Sequence, residues 1–222
     1  MTGATEPEQR TAHPAFGARL RERRRELNLT LREVAVGSGL SIGFISQAER
    51  DITVPSLTSL HNICRVLKIP VQEVLPEVSV APQASRNAQR PLLTLRPDRN
   101  GRGYERISTT FPGSTLSSVL MHEPPGNRTE PQRHDGEEMF YMLDGSITVE
   151  LEGEQIVLSP GDSLHFSSRR RHSTWNHTNR TALLLHVCTI DVFGDRIAED
   201  SEGPGLHAGH EDARRAAPKD PA

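Results

Sequence analysis

The sequence has little of what an exported or membrane protein needs. Only two of its 222 residues are cysteines, Cys64 and Cys188, and they lie far apart in different kinds of segment. Two buried thiols in a reducing cytoplasm are a better interpretation than a disulfide framework. No apolar run approaches the length of a membrane span, and residues 1–13 lack the charged-then-apolar layout of a secretion signal. We therefore expect a cytoplasmic protein with no membrane partner.

Aromatic residues are also scarce, at 4% of the chain, and hydrophobic residues reach only 34% beside 16 prolines and 17 glycines. This composition predicts that part of the chain does not pack into a core. We expect disorder at residues 1–13 and 194–222, which are polar and charged. Residues 76–91 carry Pro, Ser, Gln and Asn without an apolar period and are predicted to be a linker. Two candidate domains remain, at residues 14–75 and 92–193.

The net charge of −3 is unevenly distributed along the chain. Residues 15–75 contain nine Lys and Arg against six Asp and Glu. Residues 92–193 contain ten against thirteen, and residues 194–222 contain four against seven. Only the first segment has the sign expected of a phosphate-binding surface.

The first segment is predicted to fold as five short helices. Phe16 and Leu20 share one face of the first helix, with arginines around them. Polar caps, a left-handed turn position and an opening proline mark the boundaries of the later helices. In chain order these are Thr30 with Glu33 as a capping box, Gly39, Ser41, Ser56 and Pro70. The second and third helices are expected to pack across a short turn.

The stretch LTLREVAVGSGLSIGFISQAERDITVPSLTSLHNICRVLKIPVQEV, residues 29–74, resembles the xenobiotic-response-element (lambda-repressor-like) helix-turn-helix family. The resemblance implies that the third helix enters the major groove of double-stranded DNA. Carried onto this chain, the base-contacting residues are Ile42, Gly43, Ser46 and Gln47, and the phosphate-contacting residues are Arg32, Ser41, Arg50, Thr53 and Ser56. Gln47 can pair with an adenine edge through two hydrogen bonds. Arg24 and Glu49 match a structural ion pair of the family. A protein-binding module is the alternative use of such a domain.

Residues 92–193 alternate apolar and polar residues in short runs broken by Gly, Pro and Asn, which predicts an all-β sandwich or barrel. Two spacing patterns there resemble the motifs of the cupin superfamily, a double-stranded β-helix or jelly-roll barrel. The first pattern contains Gly126, Gln132, His134, Glu138 and Gly145, and the second contains Gly161, Ser167, Arg169, His172 and Asn176. The chain departs from the family where Gln132 replaces the first metal-ligating His, and where Ser167 and Arg169 replace a Pro and a Gly. An α + β chain of two domains is therefore expected.

Three residues of these motifs match the metal ligands of the cupin family. His134 and Glu138 lie four apart on one face of a strand, and His172 comes from a neighbouring strand. Two His and one carboxylate form a facial triad that suits Fe, Mn, Zn or Ni and leaves positions open. Gln132 could add a neutral oxygen. The alternative is a metal-free polar pocket in which these residues hydrogen-bond to one another and to an effector.

Other residues of the second domain are weaker candidates for an effector site. Arg169 begins a run of three arginines at the expected barrel mouth, where it could hold a carboxylate or simply face solvent. Tyr141 and Trp175 could line a pocket, although strand spacing is more typical of core residues. His165 is predicted to face the barrel interior by alternation. His186 is interpreted as an ordinary core or surface histidine.

A helix-turn-helix domain joined to one cupin barrel is similar to a group of bacterial one-component transcriptional regulators. The resemblance implies a homodimer that reads a palindromic operator, while the cupin senses a small metabolite such as an amino acid or a polyamine. The main alternative is a mononuclear iron oxygenase or epoxidase with the same two kinds of domain. That enzyme group draws a lysine from its helical domain, and the corresponding stretch here, ELNLTL, has none. The prediction is a regulator without catalytic residues, and an oligomerising scaffold is the third possibility.

Overall fold

The computed structural model describes residues 16–75, 81–95 and 101–196, which form a helical domain followed by an all-β domain. The two-domain α + β prediction is confirmed. The disorder predicted for residues 1–13 and for most of the C-terminal tail lies outside the described residues. No helix within the described parts of the chain is long and apolar enough to cross a membrane.

The helical domain contains four α-helices where five helices were predicted. Their bounds are α1 (Phe16–Glu26), α2 (Leu31–Ser38), α3 (Ile42–Ala48) and α4 (Leu57–Leu67). The segment after Pro70 forms a single 3-10 turn, Val71–Glu73, instead of a fifth α-helix. Its backbone N–H groups form only three hydrogen bonds, two to the Val71 carbonyl and one to the Pro70 carbonyl. A segment with so few bonds does not offset the cost of nucleating an α-helix.

Local capping positions α2 and α3 as expected. The Thr30 hydroxyl accepts from the Glu33 N–H, and the Glu33 carboxylate accepts in return from the Thr30 N–H, which completes the predicted capping box. Gly39 ends α2 with φ 72°, a left-handed conformation that disfavours a β-carbon. Ser41 then caps α3 by accepting from the Phe44 N–H at 3.1 Å. These caps fix a tight turn between α2 and α3.

An ion pair ties α1 to the end of α3. Arg24 Nε lies 2.6 Å from Glu49 Oε1, and its Nη2 lies 2.9 Å from Oε2, so the contact is two-pronged. Arg24 Nη1 also donates to the Leu29 carbonyl at 2.9 Å. The pair is mostly buried, with side chains 14% and 6% exposed. The ion pair expected between these residues is therefore present, and the buried core of the helical domain includes Leu20, Val34, Ile45, Leu60 and Ile63.

The β domain consists of two antiparallel sheets. The nine strands are β1 (Leu93–Thr94), β2 (Gly103–Arg106), β3 (Ser117–Glu123), β4 (Glu137–Asp144), β5 (Ile147–Leu151), β6 (Glu154–Leu158), β7 (Ser163–Ser167), β8 (His172–Trp175) and β9 (Ala182–Cys188). One sheet has the order β1-β2-β3-β9-β4-β7 and the other has the order β6-β5-β8. β3 and β9 show a strict buried–intermediate alternation, so every second side chain enters the core.

Both domains contribute to one continuous set of buried apolar side chains. The helical domain therefore packs against the β domain. Cys64 and Cys188 are free and buried in this core, as predicted. Burial raises the pKa of each thiol to about 12, so both stay protonated and unreactive.

Candidate functional site

Four polar side chains meet inside the β domain. Glu138 at the start of β4 is buried, and its Oε1 atom lies 2.8 Å from His134 Nε2 and 3.6 Å from His172 Nε2. The other carboxylate oxygen, Oε2, lies 3.3 Å from His186 Nε2 on β9. The three predicted triad residues are thus brought together, and a fourth residue joins them.

Backbone contacts orient two of the imidazoles. His134 Nδ1 lies 3.0 Å from the Asp135 carbonyl, and His172 Nδ1 lies 2.8 Å from the Arg170 carbonyl. A carbonyl only accepts, so both contacts assign a proton to Nδ1. In the neutral rings the Nε2 lone pairs are then directed at Glu138. This is the tautomer that metal-ligating histidines use.

Burial and charge act against each other at Glu138 and His172. Burial opposes ionisation of Glu138, but the charge of His186 and the contacts with His134 and His172 outweigh it, so the pKa of Glu138 lies well below its ordinary value. Burial lowers the pKa of His172, but the contact with Glu138 more than offsets this, and the pKa is raised. The cluster therefore favours an ionised Glu138 carboxylate surrounded by the imidazole rings of three histidines.

The donor set fits a divalent cation. Glu138 Oε1 and the Nε2 atoms of His134, His172 and His186 are buried, and none of the four has a hydrogen-bond partner of good geometry. A buried carboxylate and imidazole nitrogens that converge in this way favour a positive charge at their centre, which either a proton on an imidazole or a metal ion supplies. The ligand atoms of His134, Glu138 and His172 all lie within 4.8 Å of one another, close enough to share one metal ion.

His186 was not expected in the site, and pairing between distant strands explains its position. β4 and β9 are antiparallel neighbours in which Phe140 pairs with His186 and Glu138 pairs with Cys188. Glu138 and His186 are therefore diagonal neighbours on the same inward face. The alternation of β9 could have indicated an inward His186, but only the register shows which strand it meets. His165, by contrast, was wrongly expected inside: it is exposed and pairs with Glu137 at 3.0 Å.

Two spaces adjoin the cluster. An inner cavity of about 30 Å³ is bounded by Glu138, His172 and His186, with the buried and unpartnered Tyr104 hydroxyl also in its wall. This volume suits about one water molecule. A cleft of about 550 Å³ lies between the helical domain and the cupin, and His134 forms part of its wall. Other residues of the cleft wall are Gly37, Asn62, Arg65, Arg133, Arg169 and Asp191.

Gln132, expected beside the triad ligands, has its amide directed to the helical domain. Its Nε2 donates to Thr58 Oγ1 at 2.8 Å, and its Oε1 accepts from the Ser59 hydroxyl at 2.9 Å. All three residues are buried. Both functional ends of the amide are therefore engaged by the first turn of α4.

Of the weaker effector candidates, only Arg169 lies in the wall of the cleft. Arg169 lines the cleft and donates to Asp135 at 3.0 Å. Tyr141 and Trp175 are 40% and 39% exposed. Neither residue lines the inner cavity or the cleft.

The residues predicted to contact bases share the outer face of α3. Ile42 is 48% exposed, Gly43 and Gln47 are exposed, and Ser46 is half-buried. An added β-carbon at Gly43 would meet no atom within 4 Å, so the backbone there is open to a close approach. The inner face of the same helix is anchored in the core by Phe44 and Ile45. This geometry presents one polar face outward from a fixed helix.

The predicted phosphate-contacting residues surround that face but differ in accessibility. Arg32 and Arg50 are exposed, and Arg50 Nε donates to the Ser46 carbonyl at 3.0 Å. Thr53 is half-buried in the turn before α4. Ser41 donates its hydroxyl to Glu130 of the β domain at 2.8 Å, and Ser56 lines the inner cavity.

Comparison with known proteins identifies both domains. Residues 15–76 match the helix-turn-helix domain family, and residues 119–188 match the cupin domain family. Over 182 residues the chain is 29% identical to the HTH-type transcriptional regulator PuuR of Escherichia coli, which covers 81% of this chain and 97% of that protein. The relationship therefore spans both domains.

Two solved structures align with most of the chain. An HTH_3 family transcriptional regulator from Vibrio cholerae is 17% identical, covers 79% of this chain and 95% of its own, and has a TM-score of 0.49. Hydroxypropylphosphonic acid epoxidase from S. wedmorenis is 19% identical, covers 80% of this chain and 98% of its own, and has a TM-score of 0.39. At such similarity neither structure bears on the activity of this chain.

Proposed function

We propose that the chain is a transcriptional regulator that binds DNA and senses a small molecule, since residues 15–76 match the helix-turn-helix domain family and residues 119–188 match the cupin domain family. The observation that carries the proposal is the geometry of α2 and α3, because a capped tight turn holds α3 with an open polar face. Such a helix enters the major groove in helix-turn-helix proteins. The full-length relationship to PuuR supports the same function.

The residues of the reading surface are proposed to contact either bases or phosphates, according to the chemistry of their side chains. Gln47 on α3 carries the donor and acceptor needed to read an adenine edge, and Ile42 offers an apolar contact to a thymine methyl group. Arg32 and Arg50 contact phosphates, which position the domain without reading sequence. We propose a homodimer on a palindromic operator, since dimers of this fold bind half-sites about one DNA turn apart. Because its partner is DNA, the expected location is the cytoplasm.

The cupin centre is proposed to hold one divalent metal, namely Fe, Mn, Zn or Ni. His134, Glu138 and His172 are the ligands, and the buried atoms that lack hydrogen-bond partners support this assignment. Bound metal would supply a positive charge and open coordination positions for an effector. His186 contacts the other carboxylate oxygen and orients Glu138 from outside the ligand set.

The effector is proposed to bind in the cleft between the domains. Its volume of about 550 Å³ lies in the usual range for small-molecule sites, about 300–1,000 Å³. The inner cavity is too small for a metabolite in this arrangement. Arg65, Arg133 and Arg169 line the cleft together with Asp135 and Asp191, and Arg169 is paired with Asp135, so a ligand there would meet charges of both signs. Through His134 the cleft adjoins the metal ligands.

We propose no catalytic role for this centre. The helical domain keeps an open reading face, and no lysine occupies the stretch ELNLTL, where the iron epoxidases supply one. The test is selection of bound duplexes from a random DNA library by the purified full-length protein, followed by affinity measurement on the enriched sequence. Enrichment of one palindromic sequence is the expected result. Recovery of no preferred sequence in the presence of metal, together with oxygen consumption on metal loading, would favour the enzyme.

A further inference from the structure

The helical domain is fastened to the cupin by a buried contact at Gln132. One amide uses its nitrogen on the Thr58 hydroxyl at 2.8 Å and its oxygen on the Ser59 hydroxyl at 2.9 Å. All three residues are at most 5% exposed. A buried amide satisfied at both ends by one helical turn defines where α4 sits on the cupin.

A second contact engages the start of α3. Ser41 donates its hydroxyl to Glu130 Oε1 at 2.8 Å. Packing beside it is tight, since a β-carbon added at Gly39 would lie 2.7 Å from the Arg133 carbonyl oxygen. The turn between α2 and α3 therefore rests on the cupin segment that precedes β4.

The contact at Ser41 lies at the edge of the surface that the proposed function gives to DNA, and the contact at Gln132 lies on the first turn of α4, directly after Ser56. Ser41 and Ser56 are both predicted to contact phosphates, yet Ser41 is bonded to Glu130 and Ser56 lines the inner cavity of the cupin. A DNA phosphate brought to Ser41 would meet the Glu130 carboxylate, and the two negative charges would repel each other. Docking on the cupin and full contact with DNA are therefore in conflict at this edge.

We infer that the edge of the DNA-reading surface at Ser41 is also a docking surface for the cupin of the same chain, and that full contact with DNA needs an undocked arrangement in which Gln132 and Glu130 have released α4 and Ser41. This inference rests on the proposed function. Undocking exchanges three hydrogen bonds for bonds to water and also exposes apolar side chains that the two domains bury together, so contact with DNA must offset both costs. A ligand in the cleft touches both domains, stabilises docking and thereby weakens DNA binding by linkage.

The test uses three variants of the full-length protein and one control. Glu130→Gln removes the charge beside Ser41, Gln132→Ala removes the buried amide, and Thr58→Val removes one of its partners without a change of shape. Glu154→Gln is the matched control, because it removes an exposed carboxylate at the start of β6. The DNA is the duplex that the wild-type protein selects from a random library, and its affinity is measured by fluorescence anisotropy. X-ray scattering of the free proteins reports their radius of gyration.

The expected result is that Gln132→Ala and Thr58→Val each bind the duplex about three- to tenfold more tightly than the wild type, as one lost hydrogen bond predicts, and that Glu130→Gln also binds more tightly because its charge no longer repels a phosphate. Their radii of gyration rise, and Glu154→Gln changes neither quantity. If only Glu130→Gln binds more tightly, the effect is electrostatic and the docking inference is overturned. Unchanged affinity in all variants overturns it too, while leaving the proposed function intact. A wild type that selects no sequence removes the proposed function itself and the inference with it.

Discussion

The Nε2 atom of His186 lies 3.3 Å from Glu138 Oε2, while His134 and His172 approach the opposite oxygen, Oε1. One oxygen of the Glu138 carboxylate thus faces the two histidines that we propose as metal ligands, and the other oxygen faces a third histidine, on β9. A group that contacts the far oxygen of a ligating carboxylate fixes the direction of the near one. The site consequently differs from a triad assembled from motif residues alone.

His186→Asn should weaken metal binding without abolishing it. Loss of an orienting partner typically costs about 10- to 100-fold in metal affinity. Titration of Zn²⁺ against a chelating dye measures the change. His122→Asn is the control, since His122 pairs with Glu105 at 2.7 Å on β2 and not with Glu138. Equal affinities for the two variants would show that His186 does not orient the carboxylate.

His134→Ala should remove bound metal and spare DNA binding. The change deletes one of three proposed ligands inside the cupin, whereas the reading face lies on α3. Metal content by mass spectrometry and DNA affinity by anisotropy are measured on the same sample, with His177→Ala as an exposed control. A folded variant that loses DNA affinity would contradict the separation of sensing from reading.

Arg24→Ala should destabilise the helical domain by about 2–3 kcal/mol, somewhat less than the about 3–5 kcal/mol typical of a fully buried pair. The substitution leaves the Glu49 carboxylate 6% exposed and without its two-pronged partner. Urea unfolding followed by circular dichroism measures the loss. Arg19→Ala, which breaks exposed ion pairs with Glu22 and Glu73, should change little. Similar losses in both variants would argue against the structural role of Arg24.

Gln47→Ala should relax base preference at one position of each half-site by about 1–3 kcal/mol. Arg50→Ala serves as the comparison, because a lost phosphate contact weakens binding uniformly across sequences and lowers the slope of log affinity against log salt by about one. Affinities for duplexes with each base substituted in turn separate the two effects. An unchanged preference in Gln47→Ala would mean that this side chain does not face the bases.

Features that depend on neighbouring residues could be predicted from the sequence. The Thr30–Glu33 capping box and the left-handed Gly39 are encoded within a few positions, and both occur as expected. The motif spacing also predicted that His134, Glu138 and His172 meet, but the expected strand was wrong for His134, which lies in the loop before β4. Local rules were insufficient for the fifth helix, where only a 3-10 turn forms.

Features that depend on contacts between distant parts of the chain could not be predicted from local sequence patterns. Alternation on β7 allows two faces, and the observed pairing of Met139 with His165 turns the histidine outward. His186 meets Glu138 only through the register of β4 with β9. The Gln132 amide finds its partners more than 70 positions earlier in the chain, on α4. No periodicity or motif links such residues before the domains are docked.

The most direct test of the regulator assignment is the affinity of the full-length protein for its selected duplex relative to a scrambled duplex, measured at physiological salt. If α3 reads sequence, the selected duplex binds at least about 10³-fold more tightly than the scrambled one, as specific DNA-binding proteins show. Equal affinity for the two duplexes would contradict sequence reading by α3 and with it the proposed function.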